Sequence, residues 1–275
     1  MDFTFHNGTN GSDPYVDFYA YTPSDVAGYA FMALFGTCTV VHFILIFPFR
    51  AAYFIPLVMG GICETFGYYG RAWAHSDPHS IKSWALQYML IICAPPFIAA
   101  TAYMTLSRFI IALEAEHLCS IRPRMITVIF VTNDIICFLT QLAGAGVQIT
   151  GDPKVMEIGS KVVVGGLAFS LVIYCWFIWI AWRFQSRLTK EGAPRVPTGL
   201  AWKKYMGALY IACGAMMVRN LVRAIEFGQG KGGNIVSNEA FLYVFDGFLM
   251  LVAMGAFMVF HPGLLVKRAR EARKN

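Results

Sequence analysis

Charge is what this sequence has least of. Only 14% of its 275 residues are Asp, Glu, Lys or Arg, whereas a soluble domain carries roughly a quarter. An ordinary water-soluble domain is therefore excluded. No G-x-x-x-x-G-K-S/T phosphate loop occurs, so ATP does not power the chain directly. H-E-x-x-H, G-x-S-x-G and paired histidines in the last apolar segment are all missing, so a seven-span zinc hydrolase is not signalled. That last segment also lacks lysine, which removes a retinal Schiff base. No internal repeat is present, against the usual inverted-repeat transporters. Cysteines are present but badly placed for disulfides. Cys38, Cys63, Cys93, Cys137, Cys175 and Cys213 fall inside apolar segments and Cys119 in a short connection, so no disulfide framework is expected. Residues 1–21 have neither a basic nor an apolar leader region, so the first apolar segment is expected to direct insertion.

Apolar residues make up 57% of the chain and mean hydropathy is +0.55. They gather into seven stretches, at 24–47, 53–75, 83–113, 125–147, 162–184, 205–227 and 240–261. Each approaches or exceeds the about 20 helical residues that cross a bilayer core. The sequence thus predicts an all-α integral membrane protein, a bundle of seven transmembrane helices. Residues 1–23 form the N-terminal tail, 24–263 the membrane domain and 264–275 a basic tail. Orientation follows from the basic residues. With the N-terminus outside, fourteen Lys and Arg fall in cytoplasmic loops and tail, and only Lys82, Lys154, Lys161 and Lys231 outside. Sequons at Asn7 and Asn10 lie in the tail so placed outside. The formal charge of +6 is thereby assigned to the cytoplasmic side. There the basic C-terminal tail is expected to meet an anionic leaflet, and nucleic acid is not a partner.

The informative residues are the charges that remain at membrane depth, each costing at least roughly 2.5–3.5 kcal/mol without a partner or cavity. In the second segment Glu64, Tyr68, Arg71 and His75 sit at i, i+4, i+7 and i+11, one helical stripe. The fourth aligns Asp134, Gln141, Ala145 and Gln148, the sixth Arg219, Arg223 and Glu226, the seventh Glu239, Tyr243 and Asp246. Lipid-facing stripes would be prohibitively costly, so the four are expected to converge on a cavity in the outer half. Arg219 and Arg223 are each expected to pair with a carboxylate from another helix, Asp246 or Glu64. Pro95 and Pro96 should kink or break the third helix. His75, Asp77 and His79 superficially suggest a metal site, but Pro78 and the loop position argue for an ordinary polar loop, and no metal is expected. His42, His117 and His261 fall near the cytoplasmic side, where they could cap helix ends or ligate a metal or haem iron.

These residues resemble the fungal RTA-like family of lipid-translocating exporters, named for resistance to aminocholesterol. The matching pieces begin with Tyr21-Thr22-Pro23-Ser24, then Glu64, Gly67-Tyr68 and Gly70-Arg71. Further along come Gln87, Ala94-Pro95-Pro96, Ala99-Ala100, Tyr103, Asp134, Gln141, Gly144 and Gly146. The last are Arg219, Arg223, Glu226, Gly228, Glu239, Tyr243, Asp246 and His261-Pro262-Gly263. The resemblance implies a seven-helix protein of the plasma membrane, or of the vacuole or another endomembrane, linked to tolerance of lipids or toxicants. Members have been associated with sphingoid bases, sterol-like drugs and porphyrin. The leading expectation is therefore binding, and translocation or export, of an amphipathic lipid-like molecule. Its headgroup would meet Glu64, Tyr68, Arg71, His75, Asp134, Gln141, Arg219, Arg223, Glu226, Tyr243 and Asp246. No cofactor is expected, with haem or porphyrin open as a ligand. Three alternatives stand: a lipid-modifying enzyme with Glu64 or Asp134 as general base, a seven-helix receptor or lipid sensor, and a haem or porphyrin binder.

Overall fold

The computed structural model describes residues 4–6, 15–17, 21–148, 153–191, 201–229 and 239–272. Apart from a two-stranded antiparallel ribbon, β1 (Thr4–His6) and β2 (Tyr15–Asp17), the described elements are helical. The chain is an all-α membrane protein. Seven long helical elements cross it, α1 (Asp25–Phe49), α2 (Ile55–Ser76), α3 (Ile81–Ala112), α4 (Pro123–Gln148), α5 (Pro153–Lys190) and α6 (Trp202–Gln229) being the first six. The seventh is composite: one turn, α7 (Glu239–Phe241), a π-helical segment over Leu242–Phe248, then α8 (Leu249–Val259). A final helix, α9 (Pro262–Ala272), packs Leu265, Val266 and Ala269 inward. Among the described residues six helices are long and apolar enough to cross a membrane. The exception is α2, whose Glu64, Arg71 and four glycines lower its hydropathy.

Helix ends follow local chemistry. The Ser24 hydroxyl accepts a hydrogen bond from the Ala27 amide and caps α1. At the other end Arg50 adopts the left-handed conformation, and the Ala51 amide bonds back to the Ile46 carbonyl. The end of α3 repeats the pattern, with Glu114 left-handed and Ala115 bonded to Ile110. This six-to-one bond satisfies carbonyls that a helix end would leave orphaned.

Neighbours in sequence pack against one another, α8 closes the bundle against α1 and α6, and α3 runs through the middle touching α2, α4 and α6. The core is correspondingly centred on α3, where Ile98, Tyr103, Leu106 and Phe109 are fully buried. Small residues let α2 lie close to it. A Cβ on Gly60 would stand 3.0 Å from the Ala94 carbonyl oxygen, and one on Gly70 3.0 Å from the Gln87 amide nitrogen.

The proline pair does not break α3, which continues through both residues. Without their N–H groups the carbonyls of Ile91 and Ile92 lose their usual helical donors. One of them finds a substitute on another helix: the Arg219 guanidinium donates to the Ile91 oxygen across 3.4 Å.

Of His42, His117 and His261, two come together. His42 and His261 are buried with ring centroids 6.2 Å apart, each stacked on Phe54. His42 Nε2 bonds the Met254 carbonyl, tying α1 to α8, while His261 Nδ1 accepts from the Gly263 amide at the start of α9. His117 lies apart on the surface, 3.4 Å from Glu191.

Candidate functional site

The polar residues lie in the half of the bundle that holds the start of α1, and form three adjoining groups. The outermost centres on Arg71, brought from α2 into contact with the seventh element. Its Nη2 donates to Glu239 Oε1 and to the Tyr21 hydroxyl, both at 2.8 Å, and its Nε donates to the Tyr243 hydroxyl at 3.1 Å. The rings of Tyr21 and Tyr243 also flank the cation, with centroids 5.6 and 5.3 Å from Cζ. Residues 21–24 thereby become a strap over this end. The Ser24 amide donates to Glu239 Oε1 at 2.9 Å, and His75 Nδ1 bonds the Pro23 carbonyl at 2.8 Å. His75 itself is exposed and lies in this strap contact.

Deeper in, Asp246 from the π segment is held by two arginines of α6: Arg219 Nε meets Oδ1 and Arg223 Nη2 meets Oδ2. Arg223 also donates to both oxygens of Glu226, three residues along its own helix, at 3.0 and 3.3 Å. Arg219 has weaker secondary acceptors, Asn220 Oδ1 and the Ile91 carbonyl, each at 3.4 Å.

Glu64 stands beside this group and within its electrostatic field. It is 1% exposed, yet neither carboxyl oxygen has a hydrogen-bond partner among the described residues. The buried Tyr68 hydroxyl, one turn along, is equally unpartnered, its ring clamped between Phe31, Phe35 and Tyr243. Counting from Ser76, Glu64 lies about 18 Å into the bundle, twelve residues at about 1.5 Å each. Two orphaned polar groups at that depth are costly in a ligand-free protein.

The third group surrounds Asp134 on α4, which takes no arginine among the described residues. Tyr103 donates to its Oδ2 at 2.9 Å and Asn133 Nδ2 to its Oδ1 at 3.4 Å. Asp134 and Gln141 face a cavity of about 30 Å³ between α3, α4, α5 and α6, which Ile92, Pro95, Tyr174, Arg219 and Asn220 also line.

The structure thus brings ten of the eleven expected residues into these groups, leaving His75 at the rim. Glu239 joins the site, and among the described residues Arg71, Arg219 and Arg223 face Glu64, Glu226, Glu239, Asp246 and Asp134, two more carboxyls than arginines. Asp134 and Glu64 are the two left over. Tyr21, Tyr103, Asn133, Tyr174 and Asn220 also belong to the site. Tyr21 and Tyr103 stood in the sequence only as family motif positions; Asn133, Tyr174 and Asn220 carried no stripe that marked them. The side chains of Ala145 and Gln148 lie outside the described residues.

Fold and site define a seven-helix membrane protein with a charged core closed at one end by its own N-terminal strap. Comparison places it further: the RTA1 like protein family matches residues 57–269, and the chain belongs to that family. Protoporphyrin uptake protein 1 of Saccharomyces cerevisiae is 33% identical over 75% of this chain and 67% of its own length. Protein RTA1 of the same yeast is 28% identical over 93% of the chain and 88% of its own length. Sphingoid long-chain base transporter RSB1, also from yeast, is 23% identical over 86% of the chain and 71% of its own length. The chain thus spans about two thirds of the length of the first of these. No solved structure matches it.

Proposed function

We propose that this protein binds and translocates an amphipathic, lipid-like molecule whose headgroup is cationic. One observation carries the reading: Glu64 is a buried carboxyl with two unused oxygens, beside an Asp246 already held by two arginines. A primary amine supplies the missing charge and up to three donors, and Tyr68 offers a hydroxyl to a neighbouring polar group. Asp246, fixed by Arg219 and Arg223, would shape the site, while Arg71, Tyr243, Glu239 and the strap at 21–24 would close it. A long-chain base has this chemistry, and one relative is named for transporting such bases. A porphyrin's carboxylates would need a free cation, and each of the three arginines already has a carboxylate partner. The tail would lie along the lipid-facing helix surfaces.

In this reading the N-terminus faces outward at the plasma membrane, and the basic residues of α9 and the tail face an anionic inner leaflet. Loss of a glycosidase-sensitive mass increment in an Asn7→Gln/Asn10→Gln double variant would support the first point; no increment in the parent, expressed in a glycosylating host, would count against it.

The direct test uses the full chain in phosphatidylcholine nanodiscs with a fluorescent sphingosine and its hydroxyl analogue, in which the amine is replaced. The parent should bind the amine at least about tenfold more tightly, a difference of about 1.4 kcal/mol. Glu64→Gln should erase that preference without lowering thermal stability. Equal affinity for the two probes in the parent refutes the cationic-headgroup reading.

A further inference from the structure

The carboxyl that the headgroup reading leaves unused is Asp134. It is 5% exposed and lies about 21 Å from the Gln148 end of α4, fourteen residues at about 1.5 Å each. Among the described residues no arginine pairs with it. What it has is space: a cavity of about 30 Å³, enough for one or two waters, walled by Gln141, Ser170, Tyr174 and Asn220. Ile92 and Pro96 line the same wall, and Pro96 leaves the Ile92 carbonyl without its helical donor. Arg219 also lines the cavity while its Nε engages Asp246.

We infer that Asp134 and its cavity form a proton-binding site, which reports its charge to the headgroup site through Arg219. The step is a plain proton transfer. Hydronium in the cavity water gives its proton to a carboxylate oxygen, an O–H bond forms, water is left behind, and the reverse step releases the proton. A metal cation suits the site poorly. Sodium requires several oxygens converging at once, whereas both carboxylate oxygens already accept from Tyr103 and Asn133, and a guanidinium occupies one wall. The other titratable groups around Asp134 are Cys137 on its own helix, Tyr103 on α3, Tyr174 on α5, and Cys213 and Arg219 on α6.

The route for coupling is short. An ionised Asp134 would draw on the guanidinium that lines the same cavity, and its protonation would return Arg219 to Asp246 alone. Arg219 is suited to this, since its remaining contacts are two acceptors at 3.4 Å. The charge on Asp134 would thus set how firmly Asp246 is held beside Glu64. Proton binding stands on the cavity by itself; the coupling rests on the transport reading above.

Infrared difference spectra of the full-length protein in nanodiscs, stepped between mildly alkaline and mildly acidic buffer, test the proton site. A protonated-carboxyl band should appear in the parent and in Glu64→Gln, vanish in Asp134→Asn, and stay unchanged when sodium replaces potassium at fixed pH. A band that survives Asp134→Asn, or one that moves with sodium, overturns the proposal, and thermal melts confirm that the isosteric variant is folded. Vesicles of phosphatidylcholine and phosphatidylglycerol then test the coupling. A pH gradient should change the rate of fluorescent sphingosine movement severalfold in the parent and leave Asp134→Asn, at whatever rate it runs, indifferent to the gradient. An unchanged rate in the parent refutes the coupling. The two readings fail separately: no amine preference with an intact Asp134 band sinks the headgroup reading, while amine preference without that band sinks this one.

Discussion

Replacing Asp246 by Asn is the most informative single change, because the side chain is 4% exposed and holds two arginines at once. The shape hardly alters, so the effect isolates charge. Breaking a buried pair by removing one partner costs about 3–5 kcal/mol, since the other charge is left uncompensated. The two arginines do not suffer equally. Arg223 keeps both oxygens of Glu226 at 3.0 and 3.3 Å and has some solvent contact, so it falls back on an existing pair. Arg219 keeps only Asn220 and the Ile91 carbonyl. The variant therefore strands one cation rather than two, and the expected loss is about 3–5 kcal/mol, not twice that. At roughly 2–4 °C per kcal/mol for a domain near this size, the melting temperature should fall by on the order of 10 °C. Removing the stranded cation as well, in Asp246→Asn/Arg219→Met, should restore more than half of that. Four melts complete the double-mutant cycle, with detergent and protein concentration held fixed. Additive effects, with the double variant no more stable than Asp246→Asn, would refute the claim that Arg219 depends on Asp246.

Two further perturbations test the strap and the packing. Tyr21→Phe removes one hydrogen bond from Arg71 but leaves the ring beside it, so it should cost about 0.5–1.5 kcal/mol. It should also speed hydrogen exchange at residues 21–24 without disturbing α6; unchanged exchange there would mean that Tyr21 does not secure the strap. Gly60→Val places a Cβ 3.0 Å from the backbone oxygen of Ala94, which cannot rotate away as a side chain would. Overpacking should cost about 1–3 kcal/mol and, by pushing α2 off α3, weaken binding of the fluorescent amine one turn away at Glu64. A melt and affinity equal to the parent's would show that the two helices are not held at this spacing.

Much of the fold was legible because the bilayer imposes length and the helix imposes period. The first segment, read as 24–47, is α1 over Asp25–Phe49 with Ser24 as its cap. The stripe of Glu64, Tyr68 and Arg71 is buried on one face of α2 as the 3.6-residue period requires. Partner choice was less legible, since periodicity tells which residues share a face and not which face meets which. Arg71 chose Glu239, which is near the end of its helix, and Asp134 chose a tyrosine. The prolines, expected to kink or break α3, do not break it. A helix is expected to break where donors are missing, but Arg219 supplies one from outside, and no local rule anticipates a donor that lies 128 residues away.

The π-helical segment explains how one helix serves two arginine clusters. In an α-helix, residues three apart point within about 60° of one another, so Tyr243 and Asp246 would address the same neighbour. A π segment adds about one residue per turn, which spreads the same pair to roughly twice that angle. Tyr243 can then meet Arg71 on α2 while Asp246 meets Arg219 and Arg223 on α6. The wider turn also brings Gly247 against the Tyr68 hydroxyl, where any Cβ would stand 2.6 Å from it. That contact holds the Tyr68 hydroxyl against the backbone of the seventh element, one helical turn from Glu64. The irregularity therefore sits where the three polar groups must be joined, and a regular helix through 242–248 could satisfy Arg71 or the arginines of α6, but not both. On this argument the unused valence of the site falls on Glu64 by geometry: it is the one acidic member of the α2 stripe that the seventh element passes without offering a partner.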